Sequence, residues 1–327
     1  MASIRQHGNK WQARISRKGY KPQIKSFHTK QDADKWARHI EIQMDKGSFV
    51  DTVDSARTTL ADLIKRYMSE VTPTMRGASV DIYKLNALIK NPVSGYNLLA
   101  LTPTKIAEFR DQRLKEVSNG TVIRDLCYIS SVIRHAQREW GFQISNPVSL
   151  IKKPSPPQGR TRVLTCDEEV QLLNATKPSK NRNIYTRPFI ILALETAMRR
   201  GELLSLQWDN VDLIKRTAFL PITKNGSSRF VPLSSRAIQV LQELPRSLDG
   251  RVLPIHYAAL ENNFRRAITR AGLQSVIIHT LRHTAISRMA ERLPNVIELS
   301  AVSGHKSLAS LKNYYHIKPE VLAEKLG

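Results

Sequence analysis

The sequence predicts a multidomain α+β protein: a small three-stranded sheet with one helix, then an all-helical block, then a mainly helical domain carrying a small sheet. Three observations predict it. Trp11, Ala13 and Ile15 alternate with Gln12, Arg14 and Ser16, the period of a strand with one polar face. From residue 59 to about 150, apolar residues recur at helical spacing between helix-capping signals. Residues 152–160 then form a basic, proline-rich connection that cannot contribute to a core. A chain of 327 residues suits two or three such domains.

In the first module, residues 1–50, a turn over 18–22 leads from the strand to a further strand at 23–27. Thr29 caps a helix with Asp32 at the third position, and Ala33, Trp36, Ala37, Ile40 and Met44 share the face that covers the sheet. Residues 47–58 read as a linker. The helical domain, 58–153, opens with Thr59 and Asp62 as a capping pair, and Pro73 closes that helix. Pro103 stands at the first position of another helix, after Thr102. Residues 121–140 form a long helix lined by Ile123, Leu126, Ile129, Ile133 and Ala136, and Asn146-Pro147 ends the block. The last domain, 160–327, begins with Thr165 and Glu168 as a capping box. Asn225-Gly226 predicts a hairpin between strands at 218–223 and 229–233, with Lys224 at its tip.

Lys and Arg total 51 against 28 Asp and Glu, a net charge of +23, which points to a polyanionic partner. The excess is +7 over residues 1–50, +5 over 51–155 and +11 over 156–327, a distribution suited to wrapping a duplex. A ribosomal or other basic protein would share that composition. Two distant cysteines, Cys127 and Cys166, make neither a disulfide framework nor a zinc site, as in a reducing cytoplasm. The charged start predicts no signal peptide, and the longest apolar run, residues 189–194, is too short to cross a bilayer.

The chemistry-bearing residues cluster late in the chain. Thr196-Ala197-Met198-Arg199-Arg200-Gly201-Glu202-Leu203 comes first, then His279-Thr280-Leu281-Arg282-His283-Thr284, then Ser303-Gly304-His305, then Asn313-Tyr314-Tyr315-His316. A guanidinium binds two phosphate oxygens and keeps its charge. Histidine moves protons near neutral pH, and a tyrosine hydroxyl attacks once its proton is taken. Arg199 and Glu202 stand three apart, as do His279 and Arg282, so each pair shares a face on a helix. His279 and His283 have the spacing of paired metal ligands, but a zinc-protease helix needs Glu where Thr280 stands, so no metal is expected. Arg200 reads as a helix-surface ion pair and His283 as a structural, hydrogen-bonding histidine.

In order and spacing these motifs resemble the tyrosine recombinase (phage integrase) family. The first box has Ala197 for the usual glycine; the second is matched in full; the third has Ser303 for leucine, with Tyr314 nine residues after His305. Thr223-Lys224-Asn225-Gly226 and Val231-Pro232-Leu233 match the family's basic hairpin. The resemblance implies that Arg199, Arg282 and His305 bind the scissile phosphate, with Glu202 supporting Arg199 from behind. It gives Lys224 the role of general acid, His279 phosphate contact and help with the tyrosine's proton, and Tyr314 that of nucleophile, with Tyr315 its rival. It further implies a 3′-phosphotyrosine intermediate without metal or cofactor, an arm-type DNA-binding module at the front, and a helical core-binding domain. The implied partners are double-stranded attachment sites, a homotetramer on DNA, and accessory DNA-bending or directionality proteins, in a bacterial cytoplasm at the nucleoid. The front module favours the integrase of a prophage or integrative element over a chromosome-dimer resolvase. A catalytically inactive DNA-binding regulator and a type IB topoisomerase remain as alternatives.

Overall fold

Alternation along residues 10–15 produces the strand it predicts. In the computed structural model β2 (Lys10–Ile15) pairs antiparallel with β1 (Ser3–His7) and β3 (Gln23–Phe27), Ala13 lying opposite Ile4 and Lys25. Ala13 and Ile15 form a small core with Ala33, Ala37 and Met44 of α1 (Lys30–Asp45). Thr29 caps α1, its Oγ1 accepting from the Asp32 amide at 3.2 Å. The structure describes residues 2–47, 49, 53–75, 77–157, 161–178, 183–221, 228–315 and 323. They fall into two units, Met1–Gln158 and Gly159–Gly327.

The expected linker at 47–58 contains a short helix, α2 (Val53–Arg57), with Ser55 buried and its carbonyl accepting from the Leu98 amide at 3.2 Å. Five residues are too few to show helical periodicity, and so short a helix depends on such tertiary contacts. Beyond it α3 (Leu60–Glu70) starts at Thr59, where both arms of the capping box with Asp62 are made. With α4 (Ala78–Ile89), α5 (Pro103–Glu116) and α6 (Asn119–Glu139) it shares one core, including Leu63, Leu85, Ile106 and Ile129.

The second unit opens with α7 (Cys166–Ala175), whose Thr165–Glu168 capping box is also complete. All six residues from 189 to 194 are buried in α8 (Thr186–Thr196), as an apolar run with no polar face requires. Next come α9 (Arg200–Leu204) and an antiparallel sheet, in order β4 (Val211–Asp212), β5 (Thr217–Leu220) and β6 (Arg229–Pro232). The hairpin tip, with Lys224, lies outside the described residues. α10 (Ser235–Glu243), α11 (Tyr257–Arg270) and α12 (Ile278–Arg292) pack on α8, and α13 (Val296–Ser303) packs on α12. Buried Glu169 of α7 accepts hydrogen bonds from Arg236 of α10 and Arg288 of α12, tying these helices together. Among the described residues no helix is long and apolar enough to cross a membrane.

Candidate active site

Helix α8 stops at Ala197, whose φ of 52° lies in the left-handed region. An L-residue costs roughly 1–2 kcal/mol there, so a glycine would be at ease. The extra methyl is fully buried. The sharp stop turns the next residues out of helix geometry. Arg199 is therefore the extended N-cap of α9, not a residue on its face. The expected pairing with Glu202 forms by another route: Glu202 accepts from both the Arg199 amide and its guanidinium, each at 2.8 Å.

Glu202 is only 6 % exposed and holds a second cation. Arg229 of β6 donates to both carboxylate oxygens, at 3.1 and 2.7 Å. Burial pushes this carboxyl up, but hydrogen bonds from Arg229 and the Arg199 amide outweigh it and hold the group below the usual range. The guanidinium of Arg229 also lies against Gly304, where a Cβ would meet its carbon at 2.7 Å. Gly304 itself ends α13 with φ 68°, so space and backbone both exclude a side chain.

Arg282 of α12 is 4 % exposed and donates to the carbonyls of Ala197 and Ser303, the latter at 2.6 Å. Burial, then the charge of Arg199, lowers its pKa to about 10, and it stays a cation at neutral pH. Arg199 donates to the next carbonyl, Gly304, at 3.1 Å. His305 follows, its Nδ1 2.8 Å from the Ser303 hydroxyl. Burial, then Arg282 and Arg199, depresses that imidazole to about 4. When the Ser303 hydroxyl donates to Nδ1, neutral His305 carries its proton on Nε2, a donor directed away from the serine.

Tyr314 lies in a 3-10 turn, Lys312–Tyr314, packed on the cluster of Ala197, Ala285, Ile286, Leu299 and Leu311. Its hydroxyl is 2.5 Å from Nδ1 of His283, and the two rings stack. Burial raises the Tyr314 phenol while Arg282 pulls it down; burial wins. Tyr315 instead donates its hydroxyl to the Leu293 carbonyl at 2.8 Å, an anchoring contact. His279 is exposed one turn back on α12, its ring edge-on to His283 at 4.7 Å. Arg200 pairs with Glu261 and stacks on Tyr257, both in α11, so its ion pair crosses between helices. Among the described residues no group of histidine, cysteine and carboxylate side chains could hold a metal ion.

The depressed histidines set a direction for stability against pH. Unfolded imidazoles titrate near about 6.5, whereas His305 titrates at about 4 and His283 is also lowered, by burial and then Arg282. Between those values the unfolded chain binds more protons, so stability rises with pH there and is complete above it. The melting temperature of the full chain should therefore fall as pH drops from about 6.5. His305→Asn should flatten that slope; a melting temperature that climbs on acidification would contradict it.

Five of the expected residues, Arg199, Glu202, Arg282, His305 and Tyr314, thus come together, His279 flanks them, and Lys224 lies outside the described residues. The sequence did not disclose the tie of Arg229 to Glu202, the Ser303 hydroxyl at His305 or the contact of His283 with Tyr314. Arg229 had one signal, its place just after the hairpin; Ser303 stood out only as a departure from pattern.

Residues 162–320 match the model of the phage integrase family. The chain is 36 % identical to a putative integrase/recombinase of Haemophilus influenzae, over 97 % of this chain and 87 % of that protein. It is 37 % identical to a shufflon-specific DNA recombinase of Escherichia coli, over 83 % of this chain and 72 % of that one. In structure it is similar to lambda integrase, solved as a tetramer bound to a Holliday junction, with TM-score 0.65, 20 % identity and 98 % of both chains covered. Tn1549 transposon integrase bound to transposon right-end DNA gives TM-score 0.68 at 17 % identity, over 82 % of this chain and 98 % of that one.

Proposed function

The chain belongs to the phage integrase family of tyrosine recombinases, and from that membership we propose that it is the site-specific recombinase of a prophage or integrative element. It cuts and rejoins duplex DNA. The observation that carries this reading is convergence: Arg199 and Arg282 donate to the adjacent carbonyls of Gly304 and Ser303, and His305 follows them directly. Three sequence-distant boxes thereby bring two guanidiniums and an imidazole together, with the Tyr314 ring 6.4 Å from that of His305.

In this reading Tyr314 Oη attacks phosphorus and the 5′ oxygen leaves. Arg199, Arg282 and neutral His305 donate to the non-bridging oxygens, whose charge grows in the pentacoordinate transition state. Glu202 fixes Arg199; Lys224 protonates the departing oxygen; His279 reaches the phosphate from the exposed side and helps to move the tyrosine's proton. The 3′-phosphotyrosine bond conserves the energy of the broken linkage, so another 5′ hydroxyl reverses the step without nucleotide or metal. The protein would act as a tetramer on two attachment sites, as supported by the lambda integrase assembly, at the bacterial nucleoid and with accessory DNA-bending or directionality proteins.

Inverted repeats beside its gene would supply the substrate. Purified protein should exchange strands between two plasmids bearing them, in EDTA and without nucleotide. Binding without a covalent adduct would favour the inactive-regulator reading, and relaxation without exchange the topoisomerase reading.

The three-domain division, 1–50, 58–153 and 160–327, belongs to the same proposal. It is supported by separate hydrophobic clusters around Ala13, Leu63 and Phe189. As an arm-type module, residues 1–50 carry +7 of the charge. Deleting them should leave core-site cleavage detectable and make log K less steep against log salt on the full attachment site. An unchanged slope would refute a DNA-binding role for the module.

A further inference from the structure

Position 283 has no part in the roles proposed above, yet its imidazole meets the reacting oxygen. We infer that His283 is the general base of the cleavage step, taking the proton from Tyr314 Oη as that oxygen bonds to phosphorus. The inference rests on Tyr314 being the nucleophile.

The Tyr314 hydroxyl and His283 Nδ1 are 2.5 Å apart, within the reach a proton-transfer pair needs. The rings stack at 5.7 Å with 25° between planes, so the contact is held by packing as well as by the hydrogen bond. His283 projects from α12 beside Arg282, and Tyr314 is fixed by Leu311 and its neighbours, so both partners rest on buried supports. With the phenol donating to Nδ1, the neutral ring keeps its own proton on Nε2. In the step, the Oη–H bond breaks as Oη–P forms, the proton passes to Nδ1, and the P–O5′ bond opens with its electron pair on the leaving oxygen. When the strand is rejoined, the imidazolium returns that proton to Tyr314 Oη as the Oη–P bond breaks, so the same pair serves both directions.

Electrostatics favours this timing. Facing His283 are Arg282 and His279 on α12, Tyr314 in its turn, and His305 beyond α13. Burial and the Arg282 charge keep the free ring neutral, the form that can accept a proton. A bound phosphate offsets the guanidinium charge nearby, so substrate raises the proton affinity of His283 when the base is needed. His279, edge-on to His283, is placed to receive or relay the proton from the exposed side.

The test is single-turnover adduct formation on a nicked suicide substrate with wild type, His283→Asn and His283→Gln. Both replacements keep a polar group at the phenol but are not bases. Each should bind DNA normally and form adduct about 10²–10⁴-fold more slowly at neutral pH. The deficit should narrow in strongly alkaline buffer, as pH approaches the raised pKa of the Tyr314 phenol and that group ionises unaided. A substrate with sulfur at the bridging 5′ position should not restore the rate, since the loss lies at the other end of the reaction. An unchanged rate would make the hydrogen bond a spectator, and a faster one would make it a restraint on Tyr314; either overturns the assignment.

A second arm leaves His283 intact. Fluorotyrosine at position 314 in the otherwise wild-type chain has a more acidic phenol. If the histidine is the base, the acid limb of the pH–rate curve stays in place; if the phenol ionises on its own, the limb moves with it and the proposal fails. Wild type that forms no adduct at all would instead sink the recombinase reading itself.

Discussion

Tyr314→Phe is expected to abolish covalent attachment to a nicked suicide substrate while leaving DNA binding nearly unchanged. The phenyl ring keeps its packing against the cluster around Leu311. Only the oxygen is lost, and with it one hydrogen bond to His283, a net stability contribution of about 0.5–1.5 kcal/mol. Tyr315 is adjacent in sequence, but its hydroxyl is spent on the Leu293 carbonyl, at the far end of α12. Tyr315→Phe should therefore retain adduct formation. If the first variant still forms the adduct and the second does not, the nucleophile is misassigned.

The second large effect is expected at Glu202. This buried carboxylate receives four hydrogen bonds from two arginines, three from guanidinium nitrogens and one from a backbone amide. Glu202→Ala leaves Arg229, whose side chain is 11 % exposed, and Arg199 without their anion. Stranding buried cations in this way costs about 3–5 kcal/mol. Denaturant unfolding should show a loss of that size, with a strong fall in adduct rate as Arg199 loses its support. Adding Arg229→Ala should recover part of the stability, since the two residues share one interaction and their effects do not add. A loss below about 1 kcal/mol, within the range of a surface pair, would show that the network carries little. Acid should imitate the mutation. The Glu202 carboxyl is held below its usual value, so its contribution is present above the unfolded carboxyl pKa and is lost as pH falls through the folded one.

Much of this site was legible in the sequence because its signals are local. Caps at Thr29, Thr59 and Thr165 each need only a residue and its neighbour three positions on, and all three form as expected. Spacing within each box brought Arg199, Arg282, His305 and Tyr314 into view for the same reason. Pairings across long stretches of chain were not legible. Arg229 meets Glu202 over 27 positions, and no periodicity links a strand residue to a helix start. In the sequence Ala197 shows only as a departure from the usual glycine, whereas its left-handed backbone shows that the position is about ending α8 sharply. At 303 the chain lacks the family's leucine, and only coordinates reveal the hydroxyl beside His305 Nδ1. The helix at Val53–Arg57 was hidden because its order comes from contacts with the Leu98 backbone, not from its own pattern.

Recombination by this chain requires that phosphate be transferred to one particular oxygen. Trapping the protein on a nicked attachment site, digesting the adduct and sequencing the modified peptide by mass spectrometry reads that oxygen directly. The expected product is a 3′-phosphoryl linkage on Tyr314 with a free 5′ hydroxyl on the released strand. Attachment through a 5′ phosphate, or at any residue other than Tyr314, would contradict it.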